Sequence, residues 1–481
     1  MSAAAPLQNR MKRAAGPAGA GRPGLRPLIA AMVAATVVIS QFGLNWGRPE
    51  DGILVGLSLG AFMLVPNGIA WTLGPVLICE LSIASYYFAD YGLSLRLIVT
   101  GLAMVLALPT ILSSNRADPR YRRVFIPAMA LLIIGTIGNL AFSGEDYTIK
   151  YLRYQVLQIL ALVLVACAVR TKREIINLAV LTMPVMLASA FVAVWQHYAR
   201  GSALGSDLVT IWKGRSTGLA GSPVLIANQL TAGLVPLLGL LASLRWRRDR
   251  WLAATIMAAL VLALGIYFTY TRSAPLALAP GLLAMGLCLR GQRRLIMVGG
   301  VVGAAAMFQL LAGTGLIGSR YYLGAEDDNS AASHDALLQV ALAIALDNPI
   351  SGVGHEHFEE LSLEYAGELD SAAASNASLG VDRPHNDFLT VWISWGIAAL
   401  VAYVFLFLGA IKNFVAAARA PDPLVAGLAV GGVGWLATYA ANSAFHNYLD
   451  SSTLLWVFAG LSVVLARLAE RGKQRQGTKA A

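Results

Sequence analysis

Charge is scarce in this chain. Of its 481 residues only 13% are Asp, Glu, Lys or Arg, and 57% are hydrophobic, whereas soluble domains carry about 25% charged residues. That shortage excludes an ordinary water-soluble fold. Cysteine is nearly absent: Cys79, Cys167 and Cys288 each sit inside an apolar run. This excludes a disulfide framework or zinc-ligand spacing and leaves three small buried hydrophobes. The six histidines include one close pair, His355-Glu356-His357, with no third ligand at metal-site spacing. No internal repeat is visible. The apolar runs do not alternate with period two, which excludes a transmembrane β-barrel.

What the chain has instead is a series of runs of roughly 17–25 apolar residues, long enough to cross the hydrocarbon core as helices. Fourteen are read, at about 27–44, 52–66, 69–88, 97–113, 124–142, 151–169, 175–197, 222–243, 251–269, 274–289, 294–312, 386–411, 423–445 and 451–467. The expected fold is all-α, a polytopic integral membrane protein of about 14 transmembrane helices with one large loop containing helical segments. Residues 1–26 read as a disordered cytoplasmic leader. Residues 27–312 hold spans 1–11, 313–385 the loop, 386–467 spans 12–14 and 468–481 a cytoplasmic tail. The first span lacks a small-x-small cleavage site after it and is expected to stay as an anchor.

The formal net charge is +10, and its distribution orients the chain. With both termini in the cytoplasm, 26 of the 36 lysines and arginines fall on cytoplasmic pieces, as the positive-inside rule requires. The basic residues flank spans, so nucleic-acid binding is excluded as the meaning of the charge. In the same threading, 198–222 and 312–385 become long outward loops. The second is rich in acids and holds only two basic residues, Arg320 and Arg383. Within it, Ser333-His334-Asp335 is expected to open a helix over Leu337–Leu346, which Asn348-Pro349 ends.

Three outward strings carry candidate chemistry. Arg272, in Thr271-Arg272-Ser273-Ala274, sits in a short connection between two apolar runs. A cation there is costly unless it pairs or snorkels. Arg215 lies in Arg215-Ser216-Thr217-Gly218-Leu219-Ala220-Gly221-Ser222-Pro223. Its glycines are expected to let the backbone approach a ligand and offer N–H groups to an anion. Lys213 stands nearby. His385 heads the twelfth run in His385-Asn386-Asp387-Phe388-Leu389. An imidazole there can take a proton at neutral pH, with Asn386 orienting it or the acceptor and Asp387 raising its basicity. His355 and His446 are accessory candidates. Glu80 is the one acid well inside a span. Two fixed positive charges beside an imidazole at a membrane surface suit a phosphate-bearing lipid from which a group is moved.

These strings, in this order, resemble the O-antigen ligase family, the superfamily that also holds Wzy-type polysaccharide polymerases. The loop string Asn348-Pro349-Ile350-Ser351-Gly352-Val353-Gly354 and the later Trp395-Gly396 add to it, so the resemblance spans about residues 210–410. It implies a GT-C-like glycosyltransferase, inverting, with no metal or cofactor, in the bacterial inner membrane with its active site facing the periplasm. The donor would be a glycan on undecaprenyl diphosphate, with Arg215 and Arg272 on the diphosphate and Lys213 and Arg320 as further candidates. His385 would activate the hydroxyl of the acceptor, a glycan or lipid A–core. Ligation and polymerisation stay open: the acidic loop disfavours an anionic acceptor more than an uncharged glycan end. A lipid-linked glycan flippase is the alternative from another class, set against the lack of midplane charges and matching halves.

Overall fold

The computed structural model describes residues 73–74, 76–77, 80–81, 95–114, 117–199, 215–243, 250–314, 329–355, 357–366, 384–449 and 451–480. The leader, the first two expected spans, most of the third, Cys79, Lys213, Arg320, Arg383 and Glu356 lie outside these.

Among the described residues the regular elements are helices, with no strand. The helices are α1 (Leu95–Leu112), α2 (Pro119–Phe142), α3 (Glu145–Ala168), α4 (Lys172–Ala199), α5 (Pro223–Ser243), α6 (Arg250–Phe268), α7 (Ser273–Cys288) and α8 (Gln292–Gly313). Then come α9 (Asn329–Asp347), α10 (Phe358–Ala366), α11 (Asp387–Ala417), α12 (Pro423–Ser443) and α13 (Leu454–Ala480). A helix thus overlies each expected span from the fourth onward. Six of the described helices, α2–α5, α11 and α12, are long and apolar enough to cross a membrane. On α2 the exposed residues Ile126, Ile133, Ile137 and Leu140 form a helical apolar stripe that water would not tolerate and lipid would.

Helix starts follow local chemistry. Asp118 and Asp422 cap α2 and α12, each followed by a proline at the first helical position, where the missing N–H costs nothing. One expectation fails: α9 begins at Asn329, not near Ser333. The Ala331-Ala332 pair is a strong helix former and carries the helix past the expected cap, so Asp335 accepts from Gln339 Nε2 instead.

Lipid gives helices no hydrophobic reason to associate, so close packing must come from small residues. A Cβ added to Gly239 would lie 2.5 Å from Gly427 O, and one on Gly281 would lie 1.9 Å from Thr438 Oγ1. These glycines let α5 and α7 close on α12. Glu80 is buried and is held by Ser452 Oγ (2.8 Å), Thr453 N (2.8 Å) and Thr453 Oγ1 (2.7 Å). It joins the third run to the start of α13, a carboxylate at a helix N-terminus.

The connections assigned to the cytoplasm meet one another. Arg467 Nε pairs with Asp118 at 2.6 Å, Arg120 with Glu470, and Lys172 with Asp422. Burial pushes the Asp118 carboxyl up, but the Arg467 hydrogen bond and the Arg120 contacts outweigh it and hold it below the usual range. Burial acts the same way on Asp422, and Lys172 with the α12 N-terminal amides likewise wins.

Candidate functional site

The Arg215 string is folded against the Thr271-Arg272 string. Arg215 Nη2 donates to Thr271 Oγ1 (2.7 Å) and Nε to Thr269 O (3.2 Å), and Ser216 N donates to Phe268 O (3.3 Å). Thr271 Oγ1 donates to Pro223 O (3.1 Å), the first residue of α5. Arg272 is half-buried at the head of α7, with helical φ/ψ. Residues 57 apart in sequence therefore share one end of the bundle.

Four amides of the Arg215 string, from Thr217 to Ala220, already have partners within the protein. Gln196 Oε1 accepts from Thr217 N (3.0 Å) and Gly218 N (2.9 Å), Ser189 Oγ from Leu219 N (3.0 Å), and Thr217 O from Ala220 N (3.2 Å). The glycines serve packing: Gly218 has φ +53°, and a Cβ there would lie 2.8 Å from Ser189 O.

His385 lies half-buried just before α11 with φ +49°. It and Tyr270 are the non-glycine residues with positive φ among the described residues. Such backbone strain concentrates at functional sites. Asn386 caps α11, its side-chain oxygen accepting from Phe388 N (2.9 Å) and Leu389 N (3.1 Å). What it can offer a ligand is its amide nitrogen. Asp387 is 0% exposed. Its Oδ1 accepts from Tyr448 N (2.8 Å) and Leu449 N (3.0 Å), and Tyr403 OH approaches Oδ2 at 3.5 Å.

Asp387 thus pins the α12–α13 connection, which carries His446, to the head of α11. Thr390 Oγ1 bonds Asn447 Oδ1 at 3.2 Å, and the half-buried His446 ring lies 6.0 Å from that of Tyr448. Tyr448 also closes the circuit to the arginines. Its hydroxyl accepts from Asn442 Nδ2 (2.8 Å) and faces Val224 O (3.5 Å). Burial pushes this phenol well above its ordinary range and the Asp387 carboxylate adds to that; the Asn442 hydrogen bond and the Arg215 guanidinium draw it back.

The two remaining strings form a clasp. Gly396, with φ 78° and ψ 179°, breaks α11. The carbonyls of Ile393 and Ser394 accept from Val353 N (2.7 Å) and Gly354 N (3.0 Å), and Ile397 N donates to Pro349 O (2.9 Å). A Cβ on Gly396 would fall 1.8 Å from Ile350 O. The loop helices α9 and α10 are thereby seated on the first turns of α11, where Leu337, Val340, Ile344, Phe358, Leu389 and Ile393 form their own core. His355 belongs to this joint: it is 6% exposed, its ring stacks on Trp395 at 5.8 Å, and its backbone N–H donates to Asn139 Oδ1 at 3.3 Å.

Gln196 and Tyr448 are the residues that sequence reasoning passed over. An uncharged amide within an apolar span was the available signal for Gln196, because buried polar groups in lipid require partners. Tyr448 had no signal beyond its place beside His446.

The fold and the surface stripes define a multi-pass helical membrane protein whose described residues gather two arginine strings, a histidine-headed helix and a clasped loop arm. Residues 257–404 match the family model described as O-antigen ligase, and this match supports a membrane enzyme of O-antigen ligase or polymerase type. The match runs from α6 into α11. It includes Arg272, Arg320, His355, His385, Asn386 and Asp387 and ends short of His446; Lys213 and Arg215 precede it. No curated protein matches the chain.

Proposed function

We propose that the protein transfers a glycan from undecaprenyl diphosphate to an acceptor sugar hydroxyl on the periplasmic face of the bacterial inner membrane. The observation that carries this reading is the Arg215–Thr271 contact at 2.7 Å, because it brings the two distant arginine strings together. Arg215 and Arg272 grip the diphosphate. Guanidinium forks bind phosphate oxygens bidentately and stabilise charge on the leaving group. His385 takes the proton of the acceptor hydroxyl as its oxygen attacks the anomeric carbon. The bond from that carbon to the diphosphate oxygen breaks, and its electron pair leaves with the diphosphate. Attack opposite the leaving group inverts the centre. Asn386 offers its amide to the acceptor, Asp387 holds the His446 connection in place, and Lys213 and Arg320 remain candidate phosphate contacts.

A polymerase reading of the same site draws on one observation. Glu359, Glu360 and Glu364 are exposed on α10, which repels an anionic lipid A–core and not an uncharged growing chain.

Transfer by purified protein in nanodiscs, from lipid-linked donor, tests the proposal. His385→Ala should abolish transfer while leaving donor bound. Arg215→Lys and Arg272→Lys should each reduce it by about tenfold or more, because a point charge does not replace a planar fork. Wild-type rates in all three would remove these residues from the reaction. Donor trapped on the inner leaflet of an Arg272→Ala strain would make the protein a flippase instead.

A further inference from the structure

Beside the arginines lies a group of rings that the reaction above does not use. His197 and Tyr198 end α4, Tyr267 and Phe268 end α6, and Tyr270 stands in the α6–α7 connection. The His197 ring is 4.5 Å from Phe268, 5.7 Å from Tyr270 and 5.1 Å from Tyr198. Tyr267 lies 6.0 Å from Tyr270. Tyr198 is 73% exposed, and His197 and Tyr270 are half-buried, so the cluster opens outward.

It is built into the arginine site by the backbone. Phe268 and Thr269 supply the carbonyls that receive Ser216 N and Arg215 Nε. Gln196, one residue before His197, receives the amides of Thr217 and Gly218. Tyr270 takes φ +49°, a strained backbone for a bulky residue that persists only where its surroundings hold it.

We propose that this cluster is an aromatic platform for the sugar ring joined to the diphosphate. The inference rests on the reading of Arg215 and Arg272 as diphosphate holders. That sugar is bonded directly to the phosphates, so its ring lies next to whatever grips them. A pyranose has an apolar C–H face that suits the electron-rich face of a tyrosine, and hydroxyl edges that suit a phenol or an imidazole. The isoprenoid tail has no use for the polar edges of His197, Tyr198 and Tyr270.

The test is equilibrium binding by the full-length protein in nanodiscs, so it is readable without transfer. Two probes are compared: a glycan-bearing undecaprenyl diphosphate and bare undecaprenyl diphosphate. Tyr270→Leu and His197→Leu should each weaken the glycan-bearing probe by about fivefold and leave the bare probe unchanged, while Tyr270→Phe restores most of the loss. Tyr198→Leu, at an exposed ring, gives the same selective effect without a folding cost. Equal weakening of both probes would show that the rings hold the tail or only shape the arginine pocket. No change in either would reduce them to interfacial aromatics. Unchanged binding of the bare probe in Arg215→Lys and Arg272→Lys would overturn the diphosphate reading, and the platform resting on it, whatever the ring variants do.

Discussion

Replacing Asp387 separates a hydrogen-bonded clamp from a mere buried charge. Its carboxylate is fully enclosed and receives two backbone amides, from Tyr448 and Leu449, at 2.8 and 3.0 Å. Asp387→Ala leaves both donors buried without this acceptor. Each orphaned donor costs about 1–3 kcal/mol, so the variant should lose about 2–6 kcal/mol. Asp387→Asn keeps a carbonyl oxygen where Oδ1 stands and loses only the charge assistance, a cost of about 1 kcal/mol. Unfolding of the purified protein by a denaturing detergent, followed by tryptophan fluorescence, measures both losses. The Ala variant should be much the worse of the pair. Equal losses would mean that the charge, not the accepted bonds, matters. A loss under about 0.5 kcal/mol in the Ala variant would refute the clamp.

Gly396→Ala should cost about 2–4 kcal/mol, since it forces a side chain into positive φ and onto the Ile350 carbonyl; limited proteolysis should then release α9 and α10 from α11. Gln196→Leu removes the acceptor for two buried amides and should destabilise by about 2 kcal/mol while lowering affinity for bare undecaprenyl diphosphate, as Arg215 loses its seat. Asp118 and Asp422 have depressed folded-state values. The stability they contribute is therefore present above the ordinary carboxylate range and disappears as pH falls through that range to the folded values. Acid unfolding profiles of Asp118→Asn should be flatter there, and an unchanged profile would deny that pair its part.

The helices α1–α8 and α11–α13 could be read from the sequence because lipid allows so little else. An apolar run of that length must satisfy its own backbone, and the only open question is where it ends. The start of α12 at Asp422-Pro423 falls where the sequence put it, whereas α2 begins at Pro119, ahead of the expected 124, and alanines extend α9 beyond its expected start. Arg215, Arg272 and His385 were legible as candidates because charge and imidazole are rare beside such runs. What they were near was not. The Asn348–Gly354 and Trp395-Gly396 strings looked like independent marks, yet they are two halves of one clasp.

Composition, without any coordinates, determined that this chain crosses a membrane many times, because burial of charge and backbone is the dominant cost in hydrocarbon, and the distribution of lysine and arginine set the expectation of which pieces face which way. Only tertiary structure decided which amides were already engaged, as at Thr217 and Gly218, and that Asp387 turns inward to a connection 61 residues later. Those outcomes depend on distances between helices, and helix packing in lipid is set by where glycines let backbones close, information that no single segment carries.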